Sequence, residues 1–106
     1  MGLLVAQLRR AQLRNQRLDI EYQTMLISST KMSLVSQIND LVGLTSDMDP
    51  DSPEMKNLEK QKERLQQAEK ALDARLEQFQ TQLQMIDGEE QSVQQQISSS
   101  IQRMYS

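Results

Sequence analysis

Three aspartates at alternate positions, Asp47, Asp49 and Asp51, are the residues whose types and spacing come nearest to metal chemistry. A calcium loop opens with oxygen donors at its first, third and fifth positions. Counted from Asp47, however, the glycine expected sixth is Ser52, the carbonyl donor expected seventh is Pro53, and the glutamate expected twelfth is Leu58. The reading is a solvated, helix-capping turn with no bound metal. Arg10, Arg14 and Arg17 share one helical face and are the candidates for anion binding. No glycine-rich phosphate loop or set of interleaved aromatics accompanies them, and the net charge is -3. Pairing with acids of the same chain is therefore expected, not nucleic acid.

Catalytic chemistry has little to draw on. The chain contains no His, Cys or Trp, which removes imidazole and thiolate ligands and the side chain most used for proton transfer near neutral pH. Glu59, Glu63, Glu69, Asp73 and Glu77 lie among Lys56, Lys60, Lys62, Lys70 and Arg75, a pattern that reads as a solvated, salt-bridged helix face. A carboxylate pair doing acid and base work needs a concave, partly dry pocket, which a thin helical pair does not build. No enzymatic activity, cofactor or metal is expected.

The elements that position these side chains follow from composition and punctuation. Of 106 residues only 37% are apolar and 3% aromatic, while Gln occurs seventeen times, Gly three times and Pro twice. That composition favours long helices over a turn-rich sheet. Both prolines, Pro50 and Pro53, fall in the acidic segment near the midpoint. Proline lacks an amide donor and pushes its predecessor out of the helical region. The spacing predicts a helix over 3–46, a turn over 47–52 and a helix over 53–104. Ser52 is the expected N-cap, Pro53 the first helical residue, and Glu54 a partner for the helix dipole.

In the second helix Leu58, Leu65, Leu72, Phe79, Ile86 and Val93 recur every seven residues, and Leu76, Leu83 and Ile97 fall four residues after members of that row. This is an a/d seam. Lys62, Glu69 and Glu90 interrupt it, and the first two make its turn-proximal half thinner. Asp87-Gly88 offers a break that would make three helices, but Ile86 and Val93 keep their phase across it, which favours one helix.

The first helix carries two rows. Leu4, Ala11, Leu18, Met25 and Met32, extended by Leu8 and Tyr22, form one; Ala6, Leu13, Ile20, Ile27, Leu34 and Leu41, extended by Ile38, form the other. At about 100° per residue these rows lie nearly opposite. A hairpin partner covers one of them. The expected fold is therefore all-α, an antiparallel two-helix hairpin of coiled-coil character that associates into a multi-chain bundle or filament.

Folding about the turn sets residue i of the first helix beside residue 99 minus i of the second. Arg9, Arg10 and Arg14 then come level with Asp87, Glu89 and Glu90, and the seam position of Glu90 makes sense if an arginine reaches it. At the C-terminus Ile101 continues the apolar spacing from Ile97, and Tyr105 is the expected anchor against a neighbour.

The Pro- and Asp-containing turn, the stretch Pro53 to Leu65, and the segment Ile97-x-x-x-Ile101-Gln102-x-x-Tyr105 together resemble the small helical-hairpin subunits of type III secretion needles and related bacterial axial filaments. The resemblance implies export without a cleaved signal and helical stacking, with the C-terminal helix lining the assembly and the turn outward. The apolar run Leu3 to Ala6, with no basic residue ahead of it, agrees with the absence of a cleaved signal and is too short to span a bilayer. The expected partner is the chain itself, together with helical proteins of an export system. The competing expectation is a cytosolic adaptor or export chaperone whose spare face receives a partner helix.

Overall fold

The computed structural model describes residues 2–105. It is all-helical, with α1 spanning Leu3–Thr45 and α2 spanning Pro53–Tyr105. The first helix ends one residue before the expected 46, and the second runs one past the expected 104. Local hydrogen bonds set the first of these limits. The Ser46 hydroxyl donates to the Gly43 carbonyl at 2.9 Å, and the Met48 amide reaches the Thr45 carbonyl at 3.2 Å, which closes the last turn.

The connection is built from its own side chains. The Asp49 carboxylate accepts the Asp51 amide at 3.1 Å, while the Ser52 amide donates to the Asp49 carbonyl at 3.1 Å. An aspartate that bonds the backbone two residues on mimics a turn, which is why this residue type suits the position. The Ser52 hydroxyl then accepts the Met55 amide at 3.1 Å, satisfying one of the free donors at the start of α2. A cap of this kind contributes about 1 kcal/mol.

The chain divides into two compact units, one of Met1–Thr24 with Gln78–Ser106, the other Met25–Glu77. In the first, two helical segments run antiparallel. Val5 and Leu8 line a groove with Val93 and Gln96, whereas Ile20 lies with Gln82 and Ile86. Here sit all the buried apolar side chains among the described residues: Ala6, Leu13 and Ile20 from α1, and Phe79, Ile86, Val93 and Ile97 from α2. Their seven- and four-residue spacings keep each row on the facing side of its helix, as knobs-into-holes packing requires.

The second unit is a helical hairpin about the turn, and its seam is shallower. Ile27, Leu34, Ile38 and Leu41 of α1 and Leu58, Leu65, Leu72 and Leu76 of α2 are only half-buried. Lys62 and Glu69 stand in seam positions and are half-buried as well. A charged head keeps its water, so the seam cannot close over these positions.

Helix α2 passes through Gly88 without interruption, and no glycine among the described residues has positive φ. A Cβ added at Gly88 would meet nothing within 4 Å. Glycine there serves neither a turn nor a close approach, so it weakens the helix with no compensating contact. Gly88→Ala is expected to raise unfolding stability by about 0.5–1 kcal/mol, read as a higher urea midpoint at unchanged slope. A lowered midpoint would show that this position bends in solution.

Candidate interaction surfaces

Of the two α1 rows, the one containing Leu13 and Ile20 turns inward and the other turns to solvent. In the first unit Leu4, Leu8, Leu18 and Tyr22 are 71%, 59%, 63% and 58% exposed, while Leu13, on the opposite side of the helix, is 0% exposed. In the second unit Met25 and Met32 are likewise exposed, opposite the half-buried Ile27 and Leu34. The division is geometric: α2 supplies one seam, and a single seam covers one side of a helix. On α2, the row from Leu58 through Leu72, Leu76 and Leu83 is half-buried, and Phe79 to Ile97 contains its deepest members. At the C-terminal end Ile101 and Tyr105 are exposed, the tyrosine almost completely.

The charged side chains of the first unit pair around Arg17. Its Nε donates to Glu90 at 2.9 Å, one of its terminal nitrogens bonds Asp87, and another lies 4.0 Å from Glu21. Arg9 pairs with Glu89, and Arg10 donates to the Gln94 amide oxygen at 3.5 Å. Arg14 lines a cleft with Asp87 and Glu90, yet among the described residues it pairs with no acid. Thus Arg9 finds its acid near the counted level, Arg10 meets an amide, and Arg17 takes the two carboxylates that the count assigns to its neighbours.

A physical reason for the shift lies in helix stereochemistry. Side chains lean toward the N-terminus of their own helix. In an antiparallel pair the two leans add, so long side chains from α1 meet residues of α2 several positions further along than a level count suggests. The second unit shows the same displacement. Lys31 Nζ lies 2.6 Å from Asp73, although the level count sets it beside Ala68. Neither Arg17 as a double partner nor the Lys31–Asp73 pair emerges from counting levels, and Arg9, which keeps to Glu89, does not share the displacement.

No three His, Cys, Asp or Glu side chains among the described residues converge as a metal site would require. Among those residues no helix is long and apolar enough to cross a membrane. The fold defines a class, an all-α chain of two long helices whose segments pair antiparallel within each unit. No family model, curated protein or solved structure matches the sequence or the fold.

The pairs differ in what they contribute. Arg9 and Glu89 are well exposed, and pairs of that kind are worth about 0–1 kcal/mol. The Arg17 side chain is 27% exposed and holds two acids, so Arg17→Gln is expected to lower stability by about 1 kcal/mol, with Arg14→Gln within about 0.5 kcal/mol of wild type. Chemical denaturation at low salt checks this, and the difference should shrink in 1 M salt, where the Debye length is about 3 Å. Equal effects of the two substitutions would deny Arg17 its role.

The hydrogen bond to Asp73, followed by that carboxylate's charge, raises the Lys31 pKa above its usual value. A group raised on folding adds stability that is present in full below its unfolded pKa and disappears as pH climbs through the folded value. Melting curves of wild type and Lys31→Met should therefore differ at neutral pH and converge in strong alkali. A gap that persists there would trace the effect to packing of the lysine stem instead.

Proposed function

We propose that this protein is a non-enzymatic structural protein that self-associates through the apolar faces of its helices into a bundle or helical filament. The observation that carries the reading is the exposed row Leu4, Leu8, Leu18 and Tyr22, set directly behind a fully covered Leu13. Leaving four large side chains of one helix face in water forgoes about 25 cal/mol for each Å² that a neighbour would cover. Contiguous apolar patches of this kind mark interaction surfaces in soluble proteins. The heptad spacing of the row suits a helix as the covering element.

The sequence resemblance to type III secretion needle subunits supports assembly as a needle-like, exported subunit. The exposed Ile101 and Tyr105 suit a contact with the next subunit. A groove in the second unit lined by Met32, Val35 and Leu76 favours a second reading, in which an adaptor or export chaperone receives a partner helix.

Light scattering and electron microscopy of the pure protein test the proposal. Wild type should form large or helical assemblies or discrete bundles. Replacing Leu8 and Leu18 with Asp should reduce these to monomer while leaving the helical circular dichroism unchanged. Small soluble species that grow only when a helical partner is added would favour the adaptor, and a wild-type chain that stays monomeric at high concentration would end the self-assembly reading.

A further inference from the structure

Building on the self-association proposed above, we infer that the exposed face of α1 in the first unit is covered by the same face of a second copy, laid antiparallel about a two-fold axis near residues 16 and 17. The face has the spacing of an a/d seam: Leu8, Ala11, Asn15, Leu18 and Tyr22 alternate three and four residues apart. In an antiparallel coiled coil, seam residues of one helix meet those of the other in layers, and the flanking residues pair with their own kind across the axis.

One alignment within this face satisfies both conditions. It sets Ala11 of one copy against Tyr22 of the other, and Asn15 against Leu18. The smallest seam residue then faces the largest, at both symmetry-related ends. The same alignment brings Arg14 beside Glu21 of the second copy, again twice. Arg14 and Glu21 lie on one flank of the row, a helical turn from the Arg17 that serves the internal seam. Arg14 has no ion-pair partner among the described residues, and the acid side chain of Glu21 is half exposed, with Arg17 at 4.0 Å as its contact. A parallel pairing sets Ala11 against Ala11 and Tyr22 against Tyr22, and it carries Arg14 and Glu21 of the two copies to opposite sides of the interface, where Arg14 still meets Asp19 but Glu21 meets Leu26. Side-chain size and the pairing of Glu21 thus select a second copy laid antiparallel. Such an interface is isologous: each copy offers one patch and receives the same patch.

The symmetry supplies its own test. Arg14→Glu places two acids together on each side of the axis, and Glu21→Arg places two bases there. Each variant alone should dimerise about tenfold more weakly than wild type in sedimentation. An equimolar mixture of the two should recover wild-type affinity. In the mixed dimer the acid introduced at position 14 of one copy meets the base introduced at position 21 of the other, and the unaltered Glu21 and Arg14 meet as in wild type. Circular dichroism verifies that both exposed substitutions leave the helices intact. Direction is read by oxidation, which is clean in a chain without cysteine. Ala11→Cys mixed with Tyr22→Cys should give cross-linked dimer, while either variant alone should not, its cysteines being separated by about 16 Å along the axis at 1.5 Å per residue.

Self-association that persists without recovery in the charge mixture, or with cross-linking of Ala11→Cys alone, overturns the antiparallel pairing and leaves the structural function standing. A wild-type chain that never leaves the monomer overturns both.

Discussion

One constraint governs this molecule: α1 is apolar on two opposite sides, and a single antiparallel partner can shield one. Everything else in the fold is arranged around that asymmetry. The seam that α2 provides takes in Ala6, Leu13 and Ile20, and the row behind them is left in water. The imbalance comes from the sequence of α1 alone. No repacking of α2 within a two-helix arrangement removes it, because covering the outer row would uncover the inner one.

The depth of the internal seam varies for a reason that is equally local. Toward the ends of the chain, aromatic and β-branched side chains, Phe79, Ile86, Val93 and Ile97, meet the small and medium residues of α1 and are buried. Toward the turn, Lys62 and Glu69 replace apolar members of the row and the surrounding leucines stay half-buried. Stability in such a chain is distributed unevenly, concentrated where the seam is dry. The turn hairpin depends more heavily on its caps, the Asp49 turn and the Ser52 hydroxyl, and on the Lys31–Asp73 pair.

Much of this is legible in the amino-acid sequence. Two prolines within an acidic segment locate the turn, because Pro50 offers no amide to a helix arriving from α1 and Pro53 suits the first turn of a new one, and the run of residues seven apart defines the face of α2. The interruptions at Lys62 and Glu69 signal the shallower seam. The two rows of α1 are equally plain, but their spacing is identical in kind, so nothing in the pattern chooses which one faces inward. The charge pairs were the least legible. A level count treats a side chain as a point at its own backbone position, whereas Arg17 reaches across several residues to Asp87 and Glu90. The direction of Cα–Cβ bonds, not the order of letters, decides which acid an arginine finds.

The prolines of the turn have a consequence for how copies of this chain can come together. Many hairpins exchange arms by straightening their connection into one uninterrupted rod, so that each chain lends a helix to its neighbour. Here a rod through Ser46 to Pro53 would carry two prolines in its interior, each opposed by about 3 kcal/mol. Arm exchange through a continuous helical rod is opposed by that cost. On the self-association proposed above, copies join surface against surface, and each chain keeps its own internal seam.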